Sequence, residues 1–130
     1  MLTENFMHMP KGQTPPTEKE ILFQKLVATN PEIELKGDAN KYTSYNGNMF
    51  SILSADQVMA IRLPEKALGE FLKKYNTELK VAYGVVMKEY AVVPDALLKK
   101  TKELKKYFDI SYEYVKTLKP KATKKSNKVK

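Results

Sequence analysis

Tyr45-Asn46-Gly47-Asn48-Met49-Phe50 constrains this chain more than any other stretch. An Asn-Gly pair between two β-prone runs is the strongest short-range hairpin signal, because both residues tolerate the positive φ of a type I′ turn. A second break at Ser54-Ala55-Asp56-Gln57 separates Met49–Leu53 from the run Val58–Leu63. Residues 42–63 therefore read as a three-stranded antiparallel meander. On its last strand Met59, Ile61 and Leu63 face the core, and Val58, Ala60 and Arg62 face away.

The flanking segments supply helices. Thr17-Glu18-Lys19-Glu20 is a capping box, and Ile21, Leu22, Lys25, Leu26 and Thr29 follow as helix positions, stopped at Asn30-Pro31. Residues 32–36 alternate at period two, as a short strand or an extended lead-in to the sheet, and residues 37–40 form a turn. Pro64 suits the first position of a second helix. Leu68, Phe71, Leu72 and Tyr75 share one of its faces, and Asn76 ends it. Residues 79–93 return to β-branched and aromatic types. Gly84 separates a short strand near residues 81–83 from a longer one at 87–93. A final helical region runs from Pro94 to about Leu118, with Leu104, Phe108, Ser111, Val115 and Leu118 inward and Tyr107 and Tyr114 beside them. A break near Lys100-Thr101 would make Thr101 a cap. The sum is an α+β fold: two layers, a five-stranded antiparallel sheet with packed helices, in the order α-β-β-β-α-β-β-α.

At 130 residues, 42% of them apolar, the chain has material for one core. Residues 1–16, with three prolines and no periodicity, read as a flexible N-terminal arm; 17–118 is the folded domain, and 119–130 a disordered tail. The formal charge of +8 lies at one end. Residues 116–130 hold seven lysines (Lys116, Lys119, Lys121, Lys124, Lys125, Lys128, Lys130) and no acid. The other 16 basic and 15 acidic residues leave the first 115 at +1. Such a tail either attracts DNA or RNA weakly and without sequence preference or serves solubility. Arg62, the sole arginine, is too little for base reading by guanidinium forks. On its strand it serves a surface ion pair or an interface.

Catalytic chemistry is thin. There is no cysteine, and the one histidine, His8, sits in the arm, which excludes thiol and multi-histidine metal sites. The five glycines are too dispersed for a phosphate loop. No cofactor, metal or catalytic set is expected. An enzyme using carboxylate, Lys or Tyr side chains gathered by folding stays open. Most of the eight tyrosines read as core or rim packing rather than as base-stacking platforms. No apolar run is long enough for a membrane span, and the N-terminus lacks a secretory pattern, so a cytoplasmic address is expected.

Three segments resemble the N-terminal domain of the TfoX/Sxy family of competence regulators. They are Asn46-Gly47-Asn48-Met49-Phe50, then Met59-Ala60-Ile61-Arg62-Leu63, then residues 87–98 (Met-Lys-Glu-Tyr-Ala-Val-Val-Pro-Asp-Ala-Leu-Leu). The resemblance spans about Thr17 to Leu118. It implies a secretion-chaperone-like two-layer domain with no cofactor and no catalytic residues. It also implies a regulatory binding module whose partner is another protein, a transcription factor in the better-known members. The chain departs from the family at residues 38–40, where members carry Phe-Gly-Gly, and in having the lysine tail where regulators carry a second helical domain. A homo-oligomer through a sheet edge is a further expectation.

Overall fold

The structure, a computed structural model, describes residues 16–120. Strands β1 (Lys41–Tyr45), β2 (Asn48–Leu53), β3 (Met59–Arg62), β4 (Leu79–Ala82) and β5 (Val85–Val93) form one antiparallel sheet in the order β1-β2-β3-β5-β4. Of helices α1 (Glu18–Val27), α2 (Glu65–Lys74), α3 (Asp95–Leu98) and α4 (Thr101–Lys116), α2 and α4 pack on the sheet, and α1 and α3 pack chiefly against α4. This is the expected α+β arrangement and element order.

The meander forms as its residues dictate. Asn46 and Gly47 adopt φ of 49° and 80°, closing a two-residue loop between the paired Tyr45 and Asn48. The ladder slips once: Thr43 faces Ser51 and Ser44 faces Met49, so Phe50 is an extra residue on β2. Its ring is fully buried against Phe108 and Tyr112. Thr43 and Ser51, both wholly buried, satisfy each other through a 2.5 Å hydroxyl–hydroxyl bond. Met59, Ile61 and Leu63 enter the core as expected, alongside Phe23, Phe71, Leu98, Leu104, Phe108 and Val115. Full burial of each such side chain contributes roughly 1.5–3 kcal/mol against leaving it in water.

The helix ends depart from expectation in three places. In α1 the inward residues are Phe23, Leu26 and Val27, and Ile21 is half exposed; the capping box at Thr17 is present, but the core lies under the Phe23 side of the helix. Pro64 is the cap of α2 rather than its first helical residue; its extended ψ of 159° leaves its carbonyl to accept from Leu68 at 2.8 Å. Lys100, not Thr101, precedes α4, and Thr101 lies within the first turn. The Lys36–Tyr42 bridge is the only pairing of residues 32–36 with the sheet among the described residues, so that segment is a lead-in rather than a strand.

The β4–β5 hairpin is the irregular part. Leu79 pairs with Ala91, yet Val81 pairs with Val86. Three surplus residues on β5 therefore loop out of the ladder, and Glu89 there has φ 78°. Beyond this bulge the two strands continue as a narrow ribbon. It closes at Tyr83-Gly84, both at positive φ (53° and 75°). The short strand expected near residues 81–83 thus spans Leu79–Ala82, and Tyr83 belongs to the turn.

Candidate functional site

The ribbon and the groove beneath it make the most distinctive surface of the molecule. Val81 (57% exposed), Tyr83 (99%), Val85 (64%) and Val86 (50%) are four of the six large apolar side chains left open to solvent among the described residues. Val81 pairs with Val86 across the ribbon and Ala82 with Val85, so both of its faces carry apolar groups. Native folds seldom leave such a cluster uncovered without a use for it. β4 is an outer strand of the sheet, with no strand on its far side among the described residues.

Against the ribbon lies a groove of about 690 Å³. Val81, Ala82, Tyr83, Val85 and Met87 line it on the ribbon side, and Ile52, Asn40 and the 54–56 turn on the other. That turn is firmly built. The Ser54 amide donates to the Val58 carbonyl at 3.0 Å, the Ser54 hydroxyl donates to the Asp56 carboxylate at 2.5 Å, and the Asn40 side chain accepts from the Ala55 amide at 2.8 Å. The Ser54 hydroxyl, aided by the charge of Lys80, holds the Asp56 carboxyl below the usual carboxylate range. The last lining residue, Lys80, is only 5% exposed. Among the described residues its ammonium makes neither a hydrogen bond nor an ion pair. Asp56 and Lys80 are the groove's ionisable side chains apart from the Tyr83 phenol.

Arg62 lies elsewhere, at the end of β3. Its Nε donates to Glu89 Oε1 at 2.8 Å, and its guanidinium sits 5.7 Å from the ring centres of both Tyr90 and Tyr114. The Tyr114 hydroxyl donates to the other Glu89 oxygen at 2.8 Å, and the Tyr90 hydroxyl to the Met49 carbonyl at 2.8 Å. Burial opposes the Arg62 charge, but Glu89 together with Tyr90 and Tyr114 outweighs it and holds the guanidinium above its ordinary range. The cluster ties the β5 bulge to β3, β2 and α4.

Of the tail lysines, Lys116 ends α4 beside Glu113 (3.2 Å) and over the Tyr112 ring at 4.8 Å. The carbonyl of Lys119 accepts from the Asn48 side chain at 3.0 Å, docking the segment that follows α4 on the first hairpin. Lys121, Lys124, Lys125, Lys128 and Lys130 lie outside the described residues, as do the N-terminal arm and His8. No group of three or more His, Asp or Glu side chains suited to a metal ion occurs among the described residues. No helix among them is long and apolar enough to cross a membrane.

The ribbon and Lys80 were missed in the sequence. The signal present was Val81-Ala82-Tyr83-Gly84-Val85-Val86, apolar at both parities around a turn, which a strand with one solvated face does not show. No family model, no curated protein and no solved structure matches this chain.

Proposed function

We propose that this protein is a non-enzymatic protein-binding module that engages its partner through the β4–β5 ribbon. The observation that carries the reading is Tyr83. It occupies the first turn position at φ 53°, where Asn or Gly is comfortable and an aromatic residue is not, and its ring is 99% exposed. An unfavourable residue that packs on nothing contributes nothing to folding, and strain of this kind concentrates where a surface is used. Tyrosine is also among the residues enriched at protein interfaces, and flanking valines supply the dry surround such an anchor requires. The resemblance of residues 46–50, 59–63 and 87–98 to competence regulators extends the proposal to a transcription factor as partner and to a regulatory role.

A photo-cross-linking residue in place of Tyr83, in the full chain expressed in its native host, tests the reading against the same residue in place of exposed Lys66 on α2. A discrete adduct at position 83, absent at 66 and lost when Val86→Glu is added, is expected. No adduct at 83, or the same adduct at both positions, would refute it. An adduct of twice the chain mass would identify a second copy as the partner.

The lysine tail supports a second reading, weak non-specific association with DNA or RNA, because seven cations without an acid follow a body close to neutral.

A further inference from the structure

Lys80 narrows the chemistry of what the groove receives. Lysine covers its aliphatic stem readily while keeping its ammonium wet, and an anion that displaces this water must replace its hydration. Here 95% of the residue is covered, but its ammonium is not sealed from solvent; it makes no ion pair among the described residues, and the groove is the space the residue lines. Asp56 shares that lining, but it lies beyond ion-pair contact with Lys80 and its carboxylate is engaged by the Ser54 hydroxyl. Among the described residues Lys80 is thus the one cation lining an apolar trough, with no anion in ion-pair contact with it. The trough's walls are themselves exposed: Val81, Tyr83 and Val85 would remain more than half open around a small ligand confined below them. A longer, extended occupant covers the floor and the walls together, and the unpaired edge of β4 offers it backbone groups to bond.

We propose that the groove binds an extended peptide segment of the partner in which a carboxylate is flanked by apolar side chains, and that Lys80 pairs with that carboxylate. The inference rests on the protein-binding reading and adds the chemistry of the bound segment. The apolar side chains lie against Ile52, Val81, Val85 and Met87, and the carboxylate meets Lys80, the only cation lining the groove among the described residues.

Panning a phage-displayed random peptide library on the full chain, and in parallel on Lys80→Glu, tests it. The wild type should enrich peptides with an Asp or Glu between apolar residues, and Lys80→Glu should lose that preference. A labelled peptide from the wild-type selection should bind Lys80→Met about 10–100-fold more weakly, as expected for loss of a charge-assisted hydrogen bond, and Lys80→Arg within a few-fold. Replacing the peptide's own acid by its amide should weaken binding to the unmodified protein equally, so the result does not depend on how a variant folds. Enriched peptides without an acidic preference, or unchanged binding to Lys80→Met, would overturn the role of Lys80 and leave the protein-binding reading standing. Failure to enrich any peptide would overturn the inference as well. The cross-link at position 83 then reports separately on the reading beneath it.

Discussion

Replacing Tyr83 by Asn should stabilise this protein while disabling it. A non-glycine residue in the left-handed region costs roughly 1–2 kcal/mol, and Asn recovers part of this through local bonding of its short polar side chain. Tyr83 sits there at φ 53° with Gly84 at 75°, so Asn-Gly would recreate at this turn the pair that closes the first hairpin. Because the ring is 99% exposed, its removal forfeits almost no burial. The net expectation is a gain of about 0.5–1 kcal/mol, which for a body of ~100 residues raises Tm by about 2–8 °C. Differential scanning calorimetry of the full chain reads this directly. With the cross-linker moved to position 85, Tyr83→Asn should also reduce the partner adduct severely. A fall in Tm would show that the ring supports the fold and would remove the reason for assigning it to an interface. A raised Tm with an undiminished adduct would place the contact elsewhere on the ribbon.

Three further expectations follow from the same geometry. In a double-mutant cycle of Arg62→Met and Glu89→Gln, side chains 19% and 33% exposed should couple by about 1–2 kcal/mol, above the usual value for a fully exposed pair; urea unfolding measures it, and additive effects would contradict the cluster described. Burial first, then a bond to Glu103 for Tyr75, the charge of Glu32 for Tyr112 and a bond to Glu89 for Tyr114, raises these hydroxyls above their ordinary pKa of 10, and burial raises Tyr90. Since the folded state holds these protons more tightly than the unfolded one, their stabilisation is complete below about pH 10 and declines as the pH rises beyond it; urea midpoints that stay constant from pH 8 to 11 would refute this. For the tail, the logarithm of duplex affinity should fall linearly with the logarithm of salt, with a slope of at most about −6, equally for two unrelated sequences. A chain ending at Leu118 should lose this binding, and retention of it would place the site on the body.

What the sequence disclosed is what short-range physics decides. Asn46-Gly47 closes a hairpin wherever it stands between β-prone runs, and Leu104, Phe108, Ser111 and Val115 align on one helix face by spacing alone. Ile21 shows the limit of spacing: it and Phe23 are both plausible inward residues, and only the placement of α4 and α3 against α1 decides for Phe23. The groove was hidden for a stronger reason. Its ribbon exists because three residues bulge from β5, and that bulge is held by Glu89 bonding to Arg62 and Tyr114, residues 27 and 25 positions away. Lys80 sits between two apolar neighbours and reads as an ordinary solvated strand residue. Its burial depends on the ribbon beside it and on the 54–56 turn across the groove, neither of which its own neighbourhood reveals. Arg62 was visible as a strand residue facing away from the main core, but not its enclosure by Tyr90 and Tyr114.

Amide hydrogen exchange on the full chain, free and saturated with the partner captured at position 83, tests the central claim most directly. Binding through the ribbon and groove predicts slowed exchange at residues 79–87 and at the 52–56 segment, with α1 and α2 unchanged. Protection centred on the helical layer, with residues 79–87 exchanging as fast in the complex as in the free chain, would contradict it.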